Sequence, residues 1–261
     1  MRETAIQIAT LWWREITRFR RQRSRVIGAL LQPLVFWMLL GAGLSASFRP
    51  SGMPGGLSYV EYFYPGVLVL VLLFTAIFAT IQTVEDRKQG FLQGVLVAPI
   101  SRGTIVMGQA LGGTTLALIQ GVIFLVLAPF AGIDLSAAAI AVAIAMMALI
   151  AFALTGIGLA IAWRIESTQG FHAIMNLILI PIWLLSGAFF PAEGAPAWLG
   201  WTMRLNPLTY ATAALREGLY LARPAALGPL PGFAPSVAIA LCFAAFTFLL
   251  AARVARRAAV M

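Results

Sequence analysis

The sequence predicts an all-α membrane protein with six transmembrane helices. Three observations predict this class: 61% of the 261 residues are hydrophobic, only 10% are charged, and the apolar residues fall in six long uncharged runs. A soluble domain would carry about a quarter charged residues. An uncharged run of roughly 18 residues is long enough to cross a ~30 Å hydrocarbon core as a helix. A β-barrel would instead show short alternating segments.

The six runs predict a single transmembrane domain over residues 1–261. Pro191 is expected to close the fifth span, since proline ends a helix. A cleaved signal peptide is the alternative for the first run, but the 25 residues before it are too many for such a leader. We expect spans at about 26–48, 62–84, 104–130, 136–163, 171–191 and 235–252.

The basic residues predict the orientation of the spans. Fourteen Lys and Arg residues flank the spans on one side and four on the other, and the cytoplasmic side carries the excess. Both termini are therefore expected in the cytoplasm. The net charge of +9 is explained by this topology, so nucleic acid is not an expected partner.

Residues 1–25 are expected to form a cytoplasmic helix that lies in the membrane interface. Apolar residues recur every three or four positions, and arginines form a second stripe. Such an amphipathic pattern with tryptophans is typical of interfacial helices, which anionic lipid attracts. A plain basic collar that fixes topology is the alternative. The residues that we expect to act here are Trp12, Trp13, Arg14 and Arg18.

A polar loop over residues 85–102, "EDRKQGFLQGVLVAPISR", follows the second run. Its apolar residues Phe91, Leu92, Val95 and Leu96 predict a short amphipathic helix, which Pro99 ends. The charges of residues 85–88 are expected at the start of this helix, where acids suit the helix dipole. Because two spans hold this helix, a docked partner could move them. An ordinary polar hairpin is the alternative.

Catalytic chemistry of its own is not expected of this chain. All nine acids lie at or outside the span ends, and one His and one Cys cannot build a metal site. No nucleophile and base pair is visible. The only lysine, Lys88, precedes Gln89, whereas a P-loop needs Ser or Thr there. Energy for uphill transport must come from another chain.

The segment at about 193–223 is too short for a domain and too apolar for an ordinary loop. Asn206 followed by Pro207 is typical of a helix start, and the helix is expected to end near Leu221. Trp198 and Trp201 suit the outer interface. We expect two short outer helices that dip into the membrane or lie on it.

These features together resemble the ABC-2 type permease family. The likeness rests on six spans, the loop "EDRKQGFLQGVLVAPISR", "LSGAFFP" at the end of span five and "NPLTY" after it. It is strongest to the branch that exports drugs and nodulation factors. The resemblance implies a permease homodimer in the bacterial inner membrane. Two separate ATPase subunits would bind ATP and Mg²⁺, so this chain would hold no cofactor.

The resemblance also implies which loop residues form a coupling helix that seats in the ATPase. Gly94 departs from the family, which commonly has an acid there. That loss removes a charge that could pair with the ATPase, and glycine weakens a short helix by about 1 kcal/mol relative to alanine. The coupling residues carried over are Glu85, Asp86, Arg87, Gly90, Leu96, Pro99 and Arg102.

A translocation path is expected between two protomers. Four uncharged polar residues are candidates for lining it, although such residues more often bond between helices. The resemblance implies outward movement of a drug, lipid or glycan, and the scarce intramembrane polar groups favour a hydrophobic, amphipathic or lipid-linked cargo over a free ion. A scaffold that docks an ATPase without transport is the alternative; an intramembrane enzyme is disfavoured. The four candidates are Gln32, Gln82, Asn176 and Ser186.

Overall fold

The computed structural model describes residues 2–45, 57–97, 100–192, 195–227 and 230–257, without the side chains of residues 20, 23–26, 45, 93, 96, 97, 225 and 226. This described part is helical, with no strand in it. Its ten α-helices are α1 (Arg2–Arg21), α2 (Arg23–Ser45), α3 (Tyr59–Lys88), α4 (Phe91–Val97), α5 (Arg102–Leu125), α6 (Ala137–Ala162), α7 (Thr168–Trp183), α8 (Ala197–Leu205), α9 (Pro207–Leu219) and α10 (Phe233–Arg257).

Six of these helices are long and apolar enough to cross a membrane. They are α2, α3, α5, α6, α7 with its continuation to Ala188, and α10. A helix pairs its backbone hydrogen-bonding groups internally. Because lipid offers these groups no partners, long apolar segments become helices in a membrane. The predicted all-α fold with six spans is therefore confirmed.

Helix α3 lies at the centre of the bundle and packs against α2, α5, α6 and α7. It begins with a capping box, in which the Ser58 hydroxyl accepts from the Glu61 amide and the Glu61 carboxylate accepts from the Ser58 amide. Stacked and edge-on rings join it to its neighbours: the Tyr64 ring lies 5.3 Å from Phe124 and 5.5 Å from Trp37. Span two is thus the element on which the others are assembled.

The fifth span ends in a break at Gly187. A single π-helical turn, Leu184–Ala188, follows α7, and Gly187 inside it has a φ of 73°. Glycine is the residue that tolerates this left-handed conformation. Helical structure ends at Ala188, earlier than the predicted 191, because the chain turns at Gly187 before it reaches Pro191.

Two short helices follow on the same side of the bundle. Asn206 caps α9 by accepting a hydrogen bond from the Leu208 amide at 3.0 Å, with Pro207 at the first helical position, as the sequence predicts. The Asn206 amide group also donates to the Ile182 carbonyl at 2.6 Å. These bonds hold α8 and α9 beside the broken end of span five.

Candidate functional site

An ion-pair cluster joins α1 to the end of α3. Arg14 lies 2.8 Å from the Asp86 carboxylate and 3.0 Å from Glu15. Arg18, one turn later, pairs with the other oxygen of Asp86, and its second nitrogen lies 3.8 Å from Glu85. The basic stripe of the interfacial helix therefore faces the acids of the loop.

The position of these acids differs from the expectation. Glu85 to Lys88 form the last turn of α3, whereas the charge pattern predicts them at the start of the short helix that follows. Acids at a helix C-terminus oppose the helix dipole, but Arg14 and Arg18 compensate for them here. Asp86 is only 1% exposed, so in this conformation it contacts its own chain and not a partner.

Arg87 anchors the same turn to a different helix. Its guanidinium donates to the carbonyls of Ala162, at 3.2 Å, and Trp163, at 2.5 Å. These carbonyls lie at the C-terminal end of α6, where intrahelical partners run out and cations are favoured. The end of span two is consequently tied to both α1 and α6.

The short helix α4 begins after a sharp reversal at Gly90, whose φ is 74°. Leu92 points inward and is 2% exposed, whereas Phe91 is 42% exposed. The Arg14 guanidinium lies 3.8 Å from the centre of the Phe91 ring, within the range of a cation–π contact. The predicted short helix is present; the side chain of Leu96 and all of Pro99 lie outside the described residues.

A groove of about 560 Å³ separates α1 from α4. Ile6 on one wall is 59% exposed, and a Cβ added at Gly94 on the other wall would meet nothing within 4 Å. The groove is mainly apolar and open. Its walls include Ile6, Leu11, Arg14, Phe91, Gly94 and Val95.

Glu15 is a buried carboxyl beneath this surface. It lies 7% exposed at the contact between α1 and α5, where a side chain at Gly112 would have no room. Burial raises the pKa of Glu15 from its ordinary value of 4.5 to about 7, and the Asp86 carboxylate adds to the rise, although Arg14 lowers it. Glu15 does not stand out in the sequence, because its burial depends on packing against Gly112, 97 positions away in the chain.

The remaining interfacial and loop residues hold the ends of this surface. The Trp12 indole donates to the Thr115 hydroxyl at 3.0 Å, which fixes α1 on α5. The Trp13 ring lies 6.1 Å from that of Trp12 and is 59% exposed. Arg102 opens α5 behind the Ser101 cap. Its Nη1 is buried and has no hydrogen-bond partner among the described residues.

The four path candidates are not brought together within this chain. Gln32 and Asn176 are exposed on α2 and α7. Gln82 is buried and donates to the Gln22 side chain at 3.2 Å, and Ser186 is buried and donates to the Trp183 carbonyl at 2.6 Å. Ser186 lies next to the beginning of α3, whereas Gln82 lies near the end of that helix. The distance between these two positions, measured along α3, is about 24 Å.

Comparison with known proteins agrees with this architecture. Residues 6–220 match the family model described as ABC-2 type transporter. The chain belongs to the ABC-2 type transporter family. Its relatives include the transport permease ycf38 of Cyanophora paradoxa, which is 30% identical over 200 residues, 76% of this chain and 68% of that protein.

Two further relatives carry names that concern nodulation and drug transport. Nodulation protein J of Rhizobium leguminosarum bv. trifolii is 28% identical over 203 residues, 74% of this chain and 73% of the relative. The multidrug ABC transporter permease YbhR of Escherichia coli is 26% identical over 172 residues, 63% of this chain and 45% of the relative. The chain is thus a multi-pass membrane protein of a transport permease family.

Proposed function

We propose that this ABC-2 family member is the permease subunit of an ATP-driven exporter whose ATPase docks in the groove between α1 and α4. The observation that carries the proposal is the joint at Asp86, which ties that groove to the end of span two. A force on α4 would reach the central helix of the bundle through Gly90 and the last turn of α3. ATP and Mg²⁺ would bind to the partner subunit.

Four of the seven coupling residues take one of two roles under this proposal. Gly90 lines the groove, whereas Glu85, Asp86 and Arg87 hold its walls in place by bonding to α1 and α6. Gly94, open to solvent on the groove wall, is the residue best placed to contact the ATPase. Arg102 begins the helix that carries motion into span three.

The rest of the assembly follows the resemblance. We propose a homodimer in the bacterial cytoplasmic membrane, with both termini in the cytoplasm and the cargo path between protomers. The exposed polar residues Gln32 and Asn176 lie on helices that a second copy could cover. The cargo would be hydrophobic, amphipathic or lipid-linked, because few polar groups line the spans, and it would move outward.

Co-purification of the tagged chain with an ABC-type ATPase from the same organism tests the docking surface. Gly94→Trp would fill the groove, and because a Cβ at this position meets nothing within 4 Å, the bundle should still fold. Gly200→Trp is the matched control: Gly200 also has open space around it, but it lies on α8 at the other end of the bundle. We expect the ATPase with wild type and Gly200→Trp, and not with Gly94→Trp.

The outcomes separate the alternatives. Wild type that never retains the ATPase would remove the exporter proposal, and retention by Gly94→Trp would show that docking occurs elsewhere. Reconstitution then distinguishes an exporter from a scaffold. An exporter's ATPase rate rises with an amphipathic cargo, whereas the ATPase of a scaffold complex responds to none.

A further inference from the structure

A second cavity lies at the opposite end of the bundle from the groove. Its volume is about 340 Å³, and it forms where the broken end of span five meets α8 and α9. Both polar and apolar groups line it, including Tyr62, Ser186, Met203, Arg204, Tyr210 and Arg216. A volume of this size is at the small end of ligand pockets.

Arg216 is the most buried cation of this cavity, at 4% exposed. One of its nitrogens donates to the Gly187 carbonyl at 2.9 Å and to the Tyr62 carbonyl at 3.4 Å, and the guanidinium lies 4.2 Å from the centre of the Tyr62 ring. Its Nε is also buried and has no partner among the described residues. A buried donor without an acceptor is costly, and arginine cannot relieve the cost by losing its proton.

The electrostatics of the cavity favour an anion. Arg204 supplies a second cation from α8, and its guanidinium lies 5.5 Å from the centre of the Trp201 ring. None of the described residues that line the cavity is acidic. The planar fork of arginine matches the paired oxygens of a phosphate or carboxylate.

The surroundings of the cavity favour an acyl chain on the same ligand. Met203, Leu227 and Leu230 form part of the wall. On α8, Trp198 is 70% exposed, Trp201 62% and Leu205 81%, and such residues suit the boundary between headgroups and acyl chains. The cavity can enclose a headgroup, while a chain would extend along α8.

We propose that this cavity binds the phosphate or carboxylate of an anionic amphiphile, with Arg216 and Arg204 as the ligating cations. The proposal rests on the proposed function in one respect, since it names the ligand class for the outer end of the exporter. Its test requires neither ATP nor the ATPase. Failure of the cavity proposal would therefore leave the docking proposal untouched.

Native mass spectrometry of the purified chain, released from a neutral detergent, measures the binding. The probes are phosphatidic acid, diacylglycerol with the same acyl chains, and inorganic phosphate. Phosphatidic acid and diacylglycerol differ only by the phosphate, and inorganic phosphate lacks the chains. We expect phosphatidic acid to bind at least about tenfold more tightly than diacylglycerol, because of charge-assisted bonds to two arginines. We also expect it to bind at least about tenfold more tightly than inorganic phosphate, because its acyl chains bury apolar surface.

The variants assign the binding to this cavity. Arg204→Gln should weaken phosphatidic acid binding about tenfold, and since Arg204 is exposed this change should not impair folding. Arg216→Gln should weaken it further, if that variant folds. Arg223→Gln is the matched control, because Arg223 is an exposed arginine that pairs with Asp134 and does not line the cavity.

Two results would overturn the proposal. Unchanged affinity of Arg204→Gln for phosphatidic acid would show that Arg204 does not ligate the anion and would remove the two-arginine site. Equal affinity for phosphatidic acid and inorganic phosphate would show a free-anion site and remove the amphiphile. Loss of binding in Arg204→Gln with retention in Arg223→Gln supports it.

Discussion

Arg14 of α1 and Asp86 of α3 are 72 positions apart in the sequence, and their side chains meet at 2.8 Å. Arg14 also covers the ring of Phe91 on α4. One arginine therefore joins the interfacial helix, the end of span two and the short helix. These three elements are expected to move as one body when a partner presses on the groove.

The strength of this joint can be measured by a double-mutant cycle. Asp86 is almost fully buried and accepts from both Arg14 and Arg18, so Asp86→Asn should lower the free energy of unfolding by about 1.5–3 kcal/mol, typical of hydrogen bonds to charged groups. Arg14→Gln should cost less, because Arg18 still pairs with Asp86. Thermal unfolding in detergent of wild type, both single variants and the double variant gives the coupling energy.

Because the two residues belong to one network, the effects of the two mutations on the free energy of unfolding should not add. The double variant should differ from the sum of the single variants by at least about 0.5 kcal/mol. Arg2→Gln serves as the control, since Arg2 is an exposed residue of the same helix. Additive effects of Arg14→Gln and Asp86→Asn would mean that the two residues do not act together.

Glu15 should make stability depend on pH. Its pKa is raised from 4.5 to about 7 in the folded chain, so the folded state keeps a proton that the unfolded state releases. The stabilisation is fully present below pH 4.5 and is lost as pH rises to about 7. Across this pH range the free energy of unfolding should fall by on the order of 3 kcal/mol. Glu15→Gln should remove this dependence, so the variant should match wild type at pH 4.5 and exceed it at pH 8.

Apparent melting temperatures in detergent from pH 4.5 to 8 check this expectation. Glu3→Gln is the matched control, because Glu3 is exposed in the first turn of the same helix. Parallel pH profiles for wild type and Glu15→Gln would contradict the assignment of a raised pKa to Glu15.

The six spans could be predicted because each depends on its own composition. Lipid forces long apolar segments to bond internally, and the cap at Asn206 is equally local, since acceptor and amide are two residues apart. The break at Gly187 is different. It needs the Tyr62 hydroxyl, 3.0 Å from the Gly187 carbonyl, and the Arg216 guanidinium, which come from distant parts of the chain.

The candidate site shows the same division. The basic stripe of α1 and the acids of the loop were both visible in the sequence, but their pairing was not. Four charges in a row are usual at a loop, and here they continue α3, where Arg14 and Arg18 pair with Asp86 and Arg87 is anchored to the end of α6. A single sequence carries propensities and patterns, whereas the partner of a charge 72 positions away is decided by packing.

The break in span five should be sensitive to Gly66. A Cβ at this position would lie 2.5 Å from the Ala188 carbonyl oxygen, and the Gly66 carbonyl accepts from the Trp183 indole at 2.7 Å. Gly66→Ala should therefore lower the free energy of unfolding by about 1–3 kcal/mol through overpacking. Gly43→Ala, where a Cβ meets nothing within 4 Å, should be neutral or stabilising in the same detergent melts. Equal melting temperatures for the two variants would contradict the close packing at the break.

Gly94 offers a way to separate helix stiffness from charge in the proposed docking. Gly94→Ala should stabilise α4 by about 1 kcal/mol, which slows hydrogen exchange of its amides about fivefold. Gly94→Glu should slow exchange comparably and also add an acid at this position. If that charge pairs with the ATPase, Gly94→Glu will bind the ATPase more tightly than Gly94→Ala at low salt, and the difference will shrink as salt screens the pair. Equal affinities of the two variants at every salt concentration would show that α4 docks by shape and apolar contact alone.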